Sequence, residues 1–100
     1  MTFSEQVIRW ATANADRLSR LGEVTVQTSD GGGSKPSAHV AIEDRGRFAE
    51  IIVWDSGEVE FAHGAHGHAT DEHYDLTSPK ELDDLLEQLV LRAQAWSNDA

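Results

Sequence analysis

Residues 48–61 read Phe48-Ala49-Glu50-Ile51-Ile52-Val53-Trp54-Asp55-Ser56-Gly57-Glu58-Val59-Glu60-Phe61. The first half is rich in β-branched and aromatic side chains, which suit a pleated, packed surface. Asp55-Ser56-Gly57 is turn chemistry: Asp and Ser bond to nearby backbone, and Gly accepts a positive φ. A three-residue hairpin loop ending at that glycine fits the spacing. Glu58-Val59-Glu60-Phe61 then alternates strictly, as a half-buried strand does. The stretch predicts two antiparallel strands, about 48–54 and 58–62.

Working outward, Ser37–Asp44 alternates Ala38, Val40 and Ile42 against His39, Ala41 and Glu43, which predicts a strand over 37–44. Asp44-Arg45-Gly46-Arg47 is the turn into the hairpin. Val24–Thr28 alternates as a first strand, followed by the glycine-rich loop 29–36. That loop is not a phosphate-binding loop, because no Gly-Lys-Ser/Thr and no helix follow it. Downstream, residues 62–69 read as a glycine-spaced loop, and Asp71–Leu76 as a short fifth edge strand.

Two helices frame the strands. Thr2-Phe3-Ser4-Glu5 matches a capping box. Apolar residues recur at Phe3, Val7, Trp10/Ala11, Leu18 and Leu21, with a gap at Asn14 and a stop at Gly22. The spacing predicts a helix over 3–21. Ser78-Pro79-Lys80-Glu81 is a second start signal, with Ser78 as cap, Pro79 at the first helical position and Glu81 closing a capping box. Leu82, Leu85, Leu86, Leu89, Val90, Ala93 and Trp96 form one stripe, which predicts a helix over 79–96. One hundred residues suggest a single domain, 1–100. Short turns imply a meander, and each single-striped helix needs a sheet face. The expected fold is α+β: a two-layer sandwich of a four- to five-stranded antiparallel meander with the N- and C-terminal helices on one face.

The core face should collect Val24, Val26, Val40, Ile42, Val59 and Phe61. In the strand 48–54 both alternations are apolar, and Glu50 decides between them. Burying its carboxylate under two helices without a partner costs several kcal/mol. Ala49, Ile51 and Val53 are therefore expected inside. Phe48, Ile52 and Trp54 are expected on the open face, beside His39, Ala41, Glu43, Glu58 and Glu60. Such an aromatic strip with a polar rim suits a protein interface. The alternatives are that this face closes a homodimer, or that the register inverts and Trp54 is core.

Charge narrows the partners. The chain has 18 acidic and 8 basic residues, a net charge of −10. That field repels nucleic acid and anionic membranes and attracts basic proteins, although acidity also serves solubility. From Asp55 to Leu91 ten carboxylates face one base, Lys80. With no cysteine, disulfides and Cys-based zinc sites are excluded. The stretch MTFSEQVIRW lacks a basic n-region followed by an apolar h-region, so no signal peptide is expected. No apolar run approaches the ~20 residues of a membrane span. A cytoplasmic location is expected.

Catalytic chemistry is thin. Ser56 lies in a turn without a G-x-S-x-G frame. His63, His66 and His68, with Asp71, Glu72 and His73 nearby, are candidate ligands for Zn²⁺ or Ni²⁺. Glycines loosen that stretch, however, and His39 is the only distant ligand. A solvated loop is expected, with no metal and no cofactor.

The segments Ile51-Ile52-Val53-Trp54-Asp55-Ser56-Gly57-Glu58-Val59-Glu60 and Leu76-Thr77-Ser78-Pro79-Lys80-Glu81-Leu82-Asp83 together resemble the TriTu family of bacterial immunity proteins. The N-terminal helix with Trp10 also fits; the resemblance does not rest on the histidine-rich stretch. The resemblance implies a cytoplasmic, non-enzymatic protein of a polymorphic toxin system that binds and neutralises a cognate toxin domain. The expected partner is a basic toxin domain, with Phe48, Ile52 and Trp54 as anchors and Glu43, Glu50, Glu58 and Glu60 meeting its cations. A small acidic secretion chaperone or homodimeric adaptor is the alternative from another class, and a histidine-loop metal protein a third.

Overall fold

The computed structural model describes residues 1–30, 35–65 and 67–98. The elements run α1 (Phe3–Ala13), α2 (Ala15–Ser19), β1 (Glu23–Ser29), β2 (Ser37–Asp44), β3 (Arg47–Trp54), β4 (Glu58–Ala65), β5 (His68–Asp75) and α3 (Pro79–Asn98). The strands form one antiparallel sheet in the order β1-β2-β3-β4-β5, a meander, with the helices on one face. The fold is α+β.

Local chemistry starts and stops each element. Thr2 accepts the Glu5 N–H at 3.2 Å while the Glu5 carboxylate accepts the Thr2 N–H at 3.3 Å, a reciprocal capping box. The Glu81 N–H reaches Ser78 Oγ at 3.3 Å to open α3. The β2–β3 turn places Arg45 (φ 54) and Gly46 (φ 81) both at positive φ, the pattern of a two-residue hairpin that follows the strand twist. The β3–β4 turn runs Asp55–Gly57, with the Gly57 N–H donating to Trp54 O at 2.9 Å and Gly57 at φ 104. This turn also reaches the helix layer: Asp55 Oδ1 accepts the Ser4 N–H at 2.9 Å, so the central hairpin caps α1.

The core lies between the layers. Ala38, Val40, Ile42, Ala49, Ile51, Val53 and Val59 are fully buried, with Phe61 nearly so. They meet Val7 and Ala11 of α1, Leu18 of α2, and Leu82, Leu86, Leu89, Val90 and Ala93 of α3. The helices are tied to each other at their rims. Gln6 Nε2 donates to Pro79 O (2.8 Å) and Asp83 Oδ1 (2.9 Å), and Arg17 makes a two-pronged pair with Glu87 (3.1 and 3.2 Å). Arg47 donates to Trp96 O at 3.1 Å and lies over its ring at 5.7 Å, which holds the end of α3 to the sheet.

Three expectations require correction. The helix over 3–21 is two helices, broken at Asn14. The Asn14 side chain donates to Trp10 O at 2.9 Å, sharing that carbonyl with the Asn14 backbone N–H at 3.0 Å. Val26 is not core: it is 44% exposed, and Val24 only half-buried. Two helices, each about 10 Å across, cover about four strands spaced ~4.8 Å apart, so edge strands of a five-stranded sheet protrude.

The glycine-spaced loop 62–69 is mostly strand. β4 runs to Ala65 and β5 starts at His68, around a turn holding Gly67 at φ 85. Gly64 belongs in the strand because the partner backbone crowds it: a Cβ there would lie 1.9 Å from His68 O. His66 lies outside the described residues.

Candidate functional site

The face opposite the helices is built by the register. Its rungs across the sheet are Glu23-Glu43-Phe48-Gly64-Ala69, then Thr25-Ala41-Glu50-Ala62-Asp71, then Gln27-His39-Ile52-Glu60-His73. A fourth carries Ser29-Ser37-Trp54, with the pair Glu58-Asp75 across the turn. Phe48, Glu50, Ile52 and Trp54 thus share the central strand of this face, and all four are half-buried. Their alternates Ala49, Ile51 and Val53 are sealed under the helices. Small neighbours, Gly64 opposite Phe48 and Ala41 and Ala62 beside Glu50, leave the larger side chains standing clear. Among the described residues no helix packs over this face. Gln27, Ser37, His39, Ile52 and Trp54 line a shallow cavity of about 330 Å³ at its Trp54 end.

The carboxylates fall into two groups. Glu50 bonds His39 Nε2 at 2.9 Å, Glu60 bonds His73 Nδ1 at 3.0 Å, and Glu58 holds Lys35 Nζ at 2.6 Å and Ser56 Oγ at 3.1 Å. Lys35 and then Ser56 hold the Glu58 carboxyl below its usual 4.5. Glu23, Glu43 and Asp71, by contrast, have no ion-pair partner among the described residues. Glu23 and Glu43 stand directly opposite each other on adjacent strands, both exposed. Like charges in that position repel.

Residues 5–92 of the chain match the family model for the immunity protein TriTu. The chain belongs to the TriTu family of immunity proteins. None of the curated proteins matches it.

The TriTu match spans β4 and β5, where the structure places His63, His68 and His73 apart. His63 points to the helix side, where its ring meets Phe61 edge-on at 5.9 Å and its Nε2 bonds Glu72 at 3.2 Å. Tyr74 donates to the same carboxylate at 2.6 Å. That hydroxyl first, and His63 second, hold the Glu72 carboxyl below its usual value, while the Tyr74 hydroxyl is pushed up. His68 is exposed at the start of β5, and His73 lies on the opposite face. Among the described residues no group of three or more His, Asp or Glu is placed to hold a metal ion. No described helix is long and apolar enough to cross a membrane.

Sequence reasoning missed His39 and His73 as partners of the carboxylates on this face. Period-two spacing assigns the face, but only the register shows which strand positions meet.

His73 gives this TriTu protein a pH dependence near neutrality. The Glu60 carboxylate beside it, with Asp75 at 3.6 Å, holds the imidazole above its usual 6.5. A raised value means the folded state favours the proton. The group's contribution is complete below about pH 6.5 and is lost as pH rises through the folded value. We expect the His73 ring protons to titrate above 6.5 by NMR, and Glu60→Gln to bring the midpoint down toward it. A wild-type midpoint at or below 6.5 contradicts the pairing.

Proposed function

We propose that this TriTu protein is a cytoplasmic, non-enzymatic inhibitor that covers a basic region of a cognate toxin domain with its open sheet face. The observation that carries the reading is the strip Phe48-Ile52-Trp54 on a face over which no described helix packs. Aromatic anchors supply most of the affinity in such interfaces, and surrounding charge speeds encounter. Glu43 and Glu23 suit the electrostatic part best, because no cation among the described residues pairs with them. Glu50, Glu58 and Glu60 are already engaged, and they meet a partner's cations by exchange or by sharing.

The test is co-expression with the toxin domain encoded by the adjoining reading frame. Growth rescue and a stoichiometric complex are expected; a toxin that kills undiminished and fails to co-purify removes the reading. Relieving the like-charge pair separates binding from folding. Glu43→Gln should raise the stability of the free protein by about 0.3 kcal/mol, a small gain because both groups are exposed. It should also slow toxin association at low salt. Thermal melts and stopped-flow association measure the two effects; a variant that melts lower shows that Glu43 is not under repulsion.

A further inference from the structure

We infer that β1 is a self-association edge, through which two copies join antiparallel into one continuous sheet with both helix layers on the same side. The two edges of the sheet differ in kind. β5 carries Asp71, Glu72 and Asp75 interleaved with His68 and His73, the charged edge that resists pairing. β1 carries no charge from Val24 through Ser29, and no strand among the described residues pairs with its outer side. Val26, at its midpoint, is 44% exposed, and Met1 on the neighbouring α1 end is 77% exposed.

The strand is also self-complementary. Antiparallel pairing centred on Val26 sets Val26 against Val26, Val24 against Thr28 and Thr25 against Gln27. Residues on the helix side meet helix-side residues, and open-face residues meet open-face residues. Glu23 of each copy falls at the far end from Glu23 of the other. The cavity beside β1, about 580 Å³ and lined by Met1, Ile8 and Thr28, carries both signs on its rim in Glu5 and Arg9. Bringing two such rims together therefore concentrates no net charge. The uncharged stretch from Val24 through Ser29 offers a cationic toxin no attraction, so the occupant that fits along it is a second β1.

The net charge of −10 on each copy opposes this union, so screening strengthens it. Toxin docking on the acidic face has the opposite salt dependence. The test needs no toxin, so its failure leaves the proposed toxin-binding role standing. Light scattering of the purified full chain at about 0.05 and about 0.5 M NaCl, an increase that shortens the screening length, is expected to show a dimer whose fraction rises with salt. Val26→Lys should lose the dimer at both salts with an unchanged circular dichroism spectrum. Thr25→Glu with Gln27→Glu, both exposed on the open face, should do the same and decides the matter if the lysine variant misfolds. A wild-type monomer at both salts overturns the inference. So does a dimer that survives both variants, or one abolished by Trp54→Ala alone, which would place the join on the open face.

Discussion

Replacing Trp54 by alanine weakens binding to the cognate toxin domain by about 2 kcal/mol or more, roughly thirtyfold in dissociation constant. Trp54 stands half-buried at the end of β3 on the uncovered face, opposite Ser37 and beside the cavity shared with His39 and Ile52. An indole there has ring faces available to a partner, and its burial completes only on docking. Among the described residues no helix packs on this side of the sheet, so the variant should keep its spectrum and melt close to wild type. Titration calorimetry with the toxin domain measures the loss. Unchanged affinity would exclude Trp54 as an anchor. A variant that unfolds would show that the indole holds the fold, and the proposed binding face would fall with it.

Adjacent isoleucines provide the second large effect. Ile51→Ala should lower unfolding free energy by about 3 kcal/mol, because Ile51 is fully buried at the centre of the sheet and truncation leaves a cavity. Against a typical stability of about 5–15 kcal/mol that is a large share. Ile52→Ala, one residue along on the open face, should cost about 1 kcal/mol or less and instead weaken toxin binding. Denaturant titration of both variants gives the comparison. Equal stability losses would contradict the division of β3 into an inner and an outer face.

That division was legible because a buried carboxylate is expensive. Phe48–Trp54 is apolar on both alternations, and Glu50 alone breaks the tie. The structure adds that Glu50 is half-buried on the open face and bonded to His39, the residue diagonal to it across β2 and β3. Helix starts were legible for a similar reason: capping boxes are closed within a few residues, so their chemistry lies entirely in the local sequence. The turn at Gly57 belongs to the same class.

The histidine-rich stretch misled because its glycines read as loop when the backbone of β5 requires one of them in β4. A glycine inside a strand signals close backbone approach, but which backbone approaches is not written nearby. The break at Asn14 left only a gap in the apolar period, since a side chain that bonds the i−4 carbonyl is compatible with either a bent helix or a broken one.

The sequence by itself determined the capped helix starts, the central hairpin and the side of β3 that turns inward, because period, caps and the cost of burying charge act over a few residues. Tertiary structure decided how far the helices reach, and so why Val26 is bare at one edge while Val40, its partner on the next strand, is sealed. It also decided which carboxylates on the open face are paired and which repel. Those are questions of register and coverage, set by residues far apart in the chain that meet only when the sheet closes.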